Sequence, residues 1–274
     1  MRITLAQINF EPEDLEGHFD RIMDIISEKA NSDLIVFPEL ILQGHPSDLK
    51  PEGFLYRQLK VHLYGASQMI YGHVKKHDAR VVIGELQKQG DLFRNLATYV
   101  DKKGPKHYAK THVHWTENFH PGGRFKVFQT PLGPLGLNIC FDSAFSETWR
   151  VLGLNGAKLV VNISAAPAHF PVPYMQRRMQ GAATFNQYHV VYVNRPGPVF
   201  SGGSAVYDPR GEQVAALGGG MEIRDVDIDL SSADLWRKEE VIFKNRRPLL
   251  YRRVASRKKD IGLHRKKRRL KIAS

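Results

Sequence analysis

The chain has 274 residues, 42% hydrophobic and 25% charged, a composition ordinary for a globular protein with one large core. Its single cysteine excludes an internal disulfide, and no apolar stretch approaches the roughly 20 residues that a membrane helix needs. The net charge of +12 suggests nucleic acid until its distribution is read: residues 252–274 hold eleven Lys and Arg against one Asp, which leaves about +2 for residues 1–251. The expected organisation is therefore one domain over 1–251 and a basic tail over 252–274, the tail a solvated appendage or a weak contact for nucleic acid or an anionic surface. The start, "MRITLAQINF", reads as a first strand rather than a signal peptide. One thiol and no disulfide fit a reducing, cytoplasmic location.

Strand-like and helix-like segments alternate. Residues 2–10 predict a strand, and 13–30 a helix in which Leu15, Phe19, Ile22, Ile25 and Ile26 recur at helical spacing. "DLIVF" (33–37) is a short apolar strand, followed by a proline-bearing loop over 38–52 and a helix within 53–77. Strands follow at 79–86 and 95–101, and residues 125–140 read as two strands joined by Pro-Leu-Gly turns. Ser146 is placed to cap a helix over 146–157 that Gly156 ends. A strand at 158–164, a helix around 173–188 and a strand at 189–195 continue the alternation. "DPRG" turns a hairpin over 202–217, and a strand at 223–230 precedes a short helix over 232–243. Helices on some connections and hairpins on others favour an α/β domain with two sheets packed face to face and helices outside, an α-β-β-α sandwich.

Three strand ends carry polar residues that packing does not explain: Glu39 after "LIVFP", Lys110 and Glu117 in "HYAKTHVHWTENFHPGG", and Cys140 in "LGLNICFD". In α/β folds the loops leaving strand ends collect binding and catalytic groups. A thiol with its ordinary pKa of about 8.5 is a poor nucleophile at neutral pH. A carboxylate that takes its proton, a lysine beside the developing oxyanion and the backbone N–H of Phe141 would together let it attack an amide or nitrile carbon. No metal or other cofactor is required. His112, His114 and His120 with Glu117 can be drawn as a metal site, but no HExxH or cysteine cluster accompanies them. "LGGGM" (217–221) lacks the context of a dinucleotide loop.

"FPEL", "YAKTH" and "GLNICFD", in that order, resemble the three signature segments of the nitrilase superfamily, the carbon–nitrogen hydrolases. "RITLAQINF", "VVNISA", "HVVYVNR" and "SGGSAVYDPRGE" extend the similarity over about residues 1–250. The resemblance implies the same four-layer fold, with Glu39 as general base, Lys110 as oxyanion-stabilising lysine, Cys140 as nucleophile and Glu117 as a second glutamate that positions lysine and substrate. Phe141 and Asp142 after the cysteine are similar to amidase-type branches, where nitrilases tend to carry Trp-Glu. "FPELILQGHPSDL" is also similar to the glutaminase domains of NAD synthetases, whereas "SGGSAV" (201–206) lacks the Asp of an ATP-binding SGGxDS loop. Trp115 and Phe141 flank the expected catalytic residues and are candidates for substrate binding, while Trp149 and Leu152 read as the packed face of a helix. The expectation is hydrolysis of a small linear amide through a cysteine thioester, by a homodimer or larger homo-oligomer. A nitrilase, an N-carbamoyl amidohydrolase, or a retired scaffold whose tail binds nucleic acid are the alternatives.

Overall fold

Along the central strands both faces are apolar, so a sheet built from them must be covered on both sides. The computed structural model describes residues 1–44, 54–89 and 92–256. Its first sheet uses β1 (Arg2–Gln7), β2 (Leu34–Val36), β3 (Val81–Gln89), β4 (Leu92–Asp101), β5 (Gly104–Ala109) and β12 (Glu222–Asp227), in the order β12-β1-β2-β3-β4-β5. The second uses β6 (Val127–Thr130), β7 (Gly133–Ile139), β8 (Leu159–Ser164), β9 (His189–Asn194), β10 (Ala205–Tyr207) and β11 (Gln213–Ala216), in the order β11-β10-β9-β8-β7-β6.

Each sheet holds three parallel strands, β1-β2-β3 and β7-β8-β9. Helices α1 (Leu15–Glu28) and α2 (Phe54–Lys76) make the first pair of crossovers, and α3 (Ser146–Leu154) and α4 (Val172–Asn186) the second. Strand order advances in one direction in each sheet, so right-handed crossovers leave both helices on the same face. The bare faces then pack together. Leu34, Val36, Val82 and Tyr108 meet Leu137, Ile139, Val161 and Val193 in a core between the sheets. The intervening residues point outward: Ile35, Val81 and Ile83 pack with Ile22, Ile26 and Val74 under the first helical layer. Val160, Val190 and Tyr192 pack with Trp149, Leu152, Met179 and Ala183 under the second. The α-β-β-α sandwich expected from the pattern is the fold observed, and Trp149 and Leu152 do pack inward.

Several local expectations are corrected. Strand β5, "GPKHYA", is an element of its own, its alternation hidden by Pro105, Lys106 and His107. The α3 cap is Phe145, not Ser146, because a 3-10 turn over Cys140–Ala144 displaces the helix start; the Ser146 hydroxyl bonds the Glu147 carboxylate instead. The hairpin turn forms as expected, with Asp208 Oδ1 accepting from the Arg210 and Glu212 amides and Gly211 at φ +86°. Helix α5 spans Ser232–Glu239, shorter than the expected 232–243.

Contacts divide the chain into Met1–Glu239 and Glu240–Ser274. The second unit contains a 3-10 turn, Pro248–Tyr251, and the short helix α6, Arg252–Ala255. The rest of the basic tail, 257–274, lies outside the described residues, and none of the described helices is long and apolar enough to cross a membrane.

Candidate active site

Strand directions bring the three polar strand ends to one place. Strand β4 runs antiparallel to β3, and β5 antiparallel to β4, so β5 leaves the sheet at the same edge as β2. Glu39 follows β2 and Lys110 follows β5. Gly84 lets the Pro38–Leu40 turn lie flat on β3: a methyl group there would overlap the Leu40 amide and the Pro38 carbonyl and stand 2.6 Å from Glu39 Cα. Leu40 itself adopts φ +52°.

Lys110 Nζ donates to Glu39 Oε1 at 2.9 Å and to Glu117 Oε1 and Oε2 at 2.9 and 2.8 Å. Glu39 and Lys110 are fully buried and the Glu117 side chain is 5% exposed. The loop after β5 folds back because the Gly122 amide donates to the Lys110 carbonyl and the His120 amide to the Phe93 carbonyl. Within that loop the His114 amide holds Glu117 Oε2 at 3.1 Å. Glu39 is fixed from two further sides, by Asn95 Nδ2 at 2.6 Å on Oε1 and by the Ala165 amide at 2.8 Å on Oε2.

Cys140 follows β7 and opens the 3-10 turn at φ +42°, a left-handed conformation that a side chain rarely adopts. It is half-buried and packs against the core between the sheets. Its thiol feels the charges of Glu39, Lys110 and Glu117. Burial first, and then the Glu39 charge, push the thiol well above its ordinary range, against the pull of Lys110. Burial works to lower the Lys110 ammonium, yet Glu39, Cys140 and Glu117 outweigh it and hold the lysine raised. One ammonium between two carboxylates leaves a net negative cluster, so the resting thiol keeps its proton until a base removes it.

The structure thus joins Glu39, Lys110 and Glu117 through short contacts, and Cys140 to them through shared charge. Phe141 and Trp115 meet edge to face, with centroids 5.6 Å apart, and Trp115 is 77% exposed. His112 and His114 are otherwise engaged: His112 bonds Asp142 and stacks on Phe145 at 3.8 Å, while His114 bonds Thr116. Among the described residues no group of three or more potential ligands could hold a metal ion. Sequence reasoning missed Asn95, which is hidden inside a strand pattern, and Ala165, which acts through its backbone.

A family model described as carbon-nitrogen hydrolase matches residues 2–238. An (R)-stereoselective amidase from a Pseudomonas species is 31% identical over 261 residues, covering 91% of this chain and 93% of that protein. A glutamine-dependent NAD(+) synthetase from Aquifex aeolicus is 31% identical over 85% of this chain, which spans 43% of the synthetase. The crystal structure of a carbon-nitrogen hydrolase from Helicobacter pylori G27 superposes with a TM-score of 0.83 at 20% identity, over 94% of this chain and 99% of that one.

Proposed function

The chain belongs to the carbon–nitrogen hydrolase family and is an amidohydrolase, and on that footing we propose that it cleaves a small linear amide at Cys140. In this reading Glu39 takes the thiol proton as Sγ attacks the carbonyl carbon. Lys110 Nζ and the Phe141 N–H receive the oxyanion, and Glu117 holds the lysine in place. When the tetrahedral intermediate collapses, the amide nitrogen leaves as ammonia or an amine with the proton from Glu39, and a thioester remains. Glu39 then deprotonates a water that attacks the thioester, and the acid departs as the proton returns to sulfur.

The observation that carries this reading is the shared Lys110 ammonium, bonded to Glu39 and Glu117 while the Cys140 thiol feels all three. A net negative cluster favours a base-assisted thiol over a standing thiolate, and in this reading the base is Glu39, held on Oε1 by Asn95 and Lys110 and on Oε2 by the Ala165 amide. Phe141 and Trp115 supply an apolar wall for the substrate in this proposal. Glu-Lys-Cys chemistry needs no cofactor. The wider reading adds a homo-oligomer, a reducing cytoplasmic setting supported by the lone thiol, and an electrostatic role for the tail supported by its charge density.

Ammonia release from a panel of small amides and nitriles tests the proposal, with iodoacetamide as the control, because this protein has one cysteine. Amide turnover that disappears in proportion to alkylation is expected. Turnover untouched by complete alkylation, or a panel in which no amide reacts, would overturn it.

A further inference from the structure

Asp142 is fully buried two residues after the cysteine, and both of its carboxylate oxygens are occupied. Oδ2 accepts from the Tyr108 hydroxyl at 2.8 Å and the Ile139 amide at 3.2 Å. Oδ1 accepts from the Thr111 hydroxyl at 2.7 Å, the His112 amide at 2.8 Å and His112 Nδ1 at 2.9 Å. These donors flank the reacting groups in both segments: Lys110 stands between Tyr108 and Thr111, and Cys140 between Ile139 and Asp142. Tyr108 belongs to the first sheet and Ile139 to the second, so one carboxylate ties the two sheets together where the site lies.

The same residue is linked to the element that orients Glu39. The Thr148 hydroxyl lies 3.0 Å from the Asp142 carbonyl and 2.8 Å from that of Phe145, and accepts from Asn138 Nδ2 at 3.1 Å. Asn138 Oδ1 accepts from Asn162 Nδ2 at 2.7 Å, and Asn162 Oδ1 from the Ser164 hydroxyl at 2.8 Å. Ser164 precedes Ala165, whose amide holds Glu39. All four side chains are buried. The left-handed backbone of Cys140 is strained and persists only where its surroundings impose it.

We propose that Asp142 is a positioning residue that sets Cys140 against Lys110 and, through Thr148, Asn138, Asn162 and Ser164, against Glu39. A carboxylate suits the post because all five partners donate; an amide would turn an N–H toward at least one donor. The inference rests on the reading of Cys140 as nucleophile.

The test compares wild type with Asp142→Asn, Tyr108→Phe, Thr111→Val and Cys140→Ala, each corrected for folded fraction by thermal melting. Expected for Asp142→Asn is a kcat lowered about 10²-fold, since misplacement of about 1 Å costs that much, with KM changed less than about threefold. Alkylation of Cys140 by iodoacetamide slows about tenfold in the same variant, and Tyr108→Phe and Thr111→Val show smaller losses of the same kind. A folded Asp142→Asn with kcat and alkylation rate within about twofold of wild type would overturn the proposal. So would losses that vanish after correction for folded fraction. If Asp142→Asn does not fold, unchanged kcat in both Tyr108→Phe and Thr111→Val overturns it equally. Wild-type turnover by Cys140→Ala would remove the nucleophile itself, whereas an inert Cys140→Ala beside a normal Asp142→Asn removes only the positioning role.

Discussion

Lys110 donates to Glu39 across 2.9 Å with both side chains sealed from solvent, and their partner Glu117 closes the ammonium from the other side. A buried cation shared by two carboxylates cannot be removed quietly. Lys110→Ala leaves two buried charges of one sign, and a loss of about 3–5 kcal/mol in urea unfolding is expected. Adding Glu117→Gln removes one of those charges and restores part of the stability. Urea midpoints of the single and double variants measure this, and a Lys110→Ala protein as stable as wild type would contradict it.

Glu39→Gln keeps the size of the side chain but cannot take a proton. A fall in kcat of about 10²–10⁴-fold is expected, the range of general acid–base work. Steady-state turnover on the preferred amide measures it, and a fall smaller than about tenfold would point to another base.

The raised thiol and the raised lysine set the sign of the pH dependence. Both hold their protons more tightly in the folded chain than in the unfolded one. Their stabilisation is complete below the unfolded values, about 8.5 for the thiol and about 10.4 for the lysine, and is lost as pH rises beyond them. Tyr108, Tyr188 and Tyr192, raised by burial, add to the loss in the same direction. Melting temperature should therefore hold level from about pH 7 to about pH 8.5 and decline above it, with Cys140→Ala delaying the decline. A melting temperature that rises across that interval would contradict the assignment.

Gly84→Ala inserts a methyl group against backbone that cannot rotate away. The cost expected is about 1–3 kcal/mol, the usual range for overpacking, together with a lower kcat as Glu39 is pushed from Lys110. Denaturant unfolding and turnover per folded molecule report the two effects separately. A Gly84→Ala variant with wild-type stability would mean that the turn carrying Glu39 relaxes freely.

Much of this fold was legible because its elements keep strict periods: α1 has Ile22, Ile25 and Ile26 on one face, and the hairpin carries its own turn chemistry. Glu39, Lys110, Glu117 and Cys140 stood out because a strand end has no packing use for them. Strand β5 did not stand out, since Pro105 and two basic side chains break its alternation. Asn95 sits within β4, and only the pairing of β3, β4 and β5 reveals that it lies beside Glu39. Ala165 contributes a backbone amide, on which side-chain identity is silent. The donors to Asp142 come from segments that no local pattern connects.

The central claim is that the only sulfur of a cysteine in this chain forms the bond to the substrate carbon. Its most direct measurement is ammonia release by Cys140→Ala and wild type, at equal concentrations of folded protein, on whichever amide the panel shows to be turned over best. The account predicts that Cys140→Ala has no turnover above the uncatalysed rate attributable to an acyl-enzyme route. Release at the wild-type rate would contradict it.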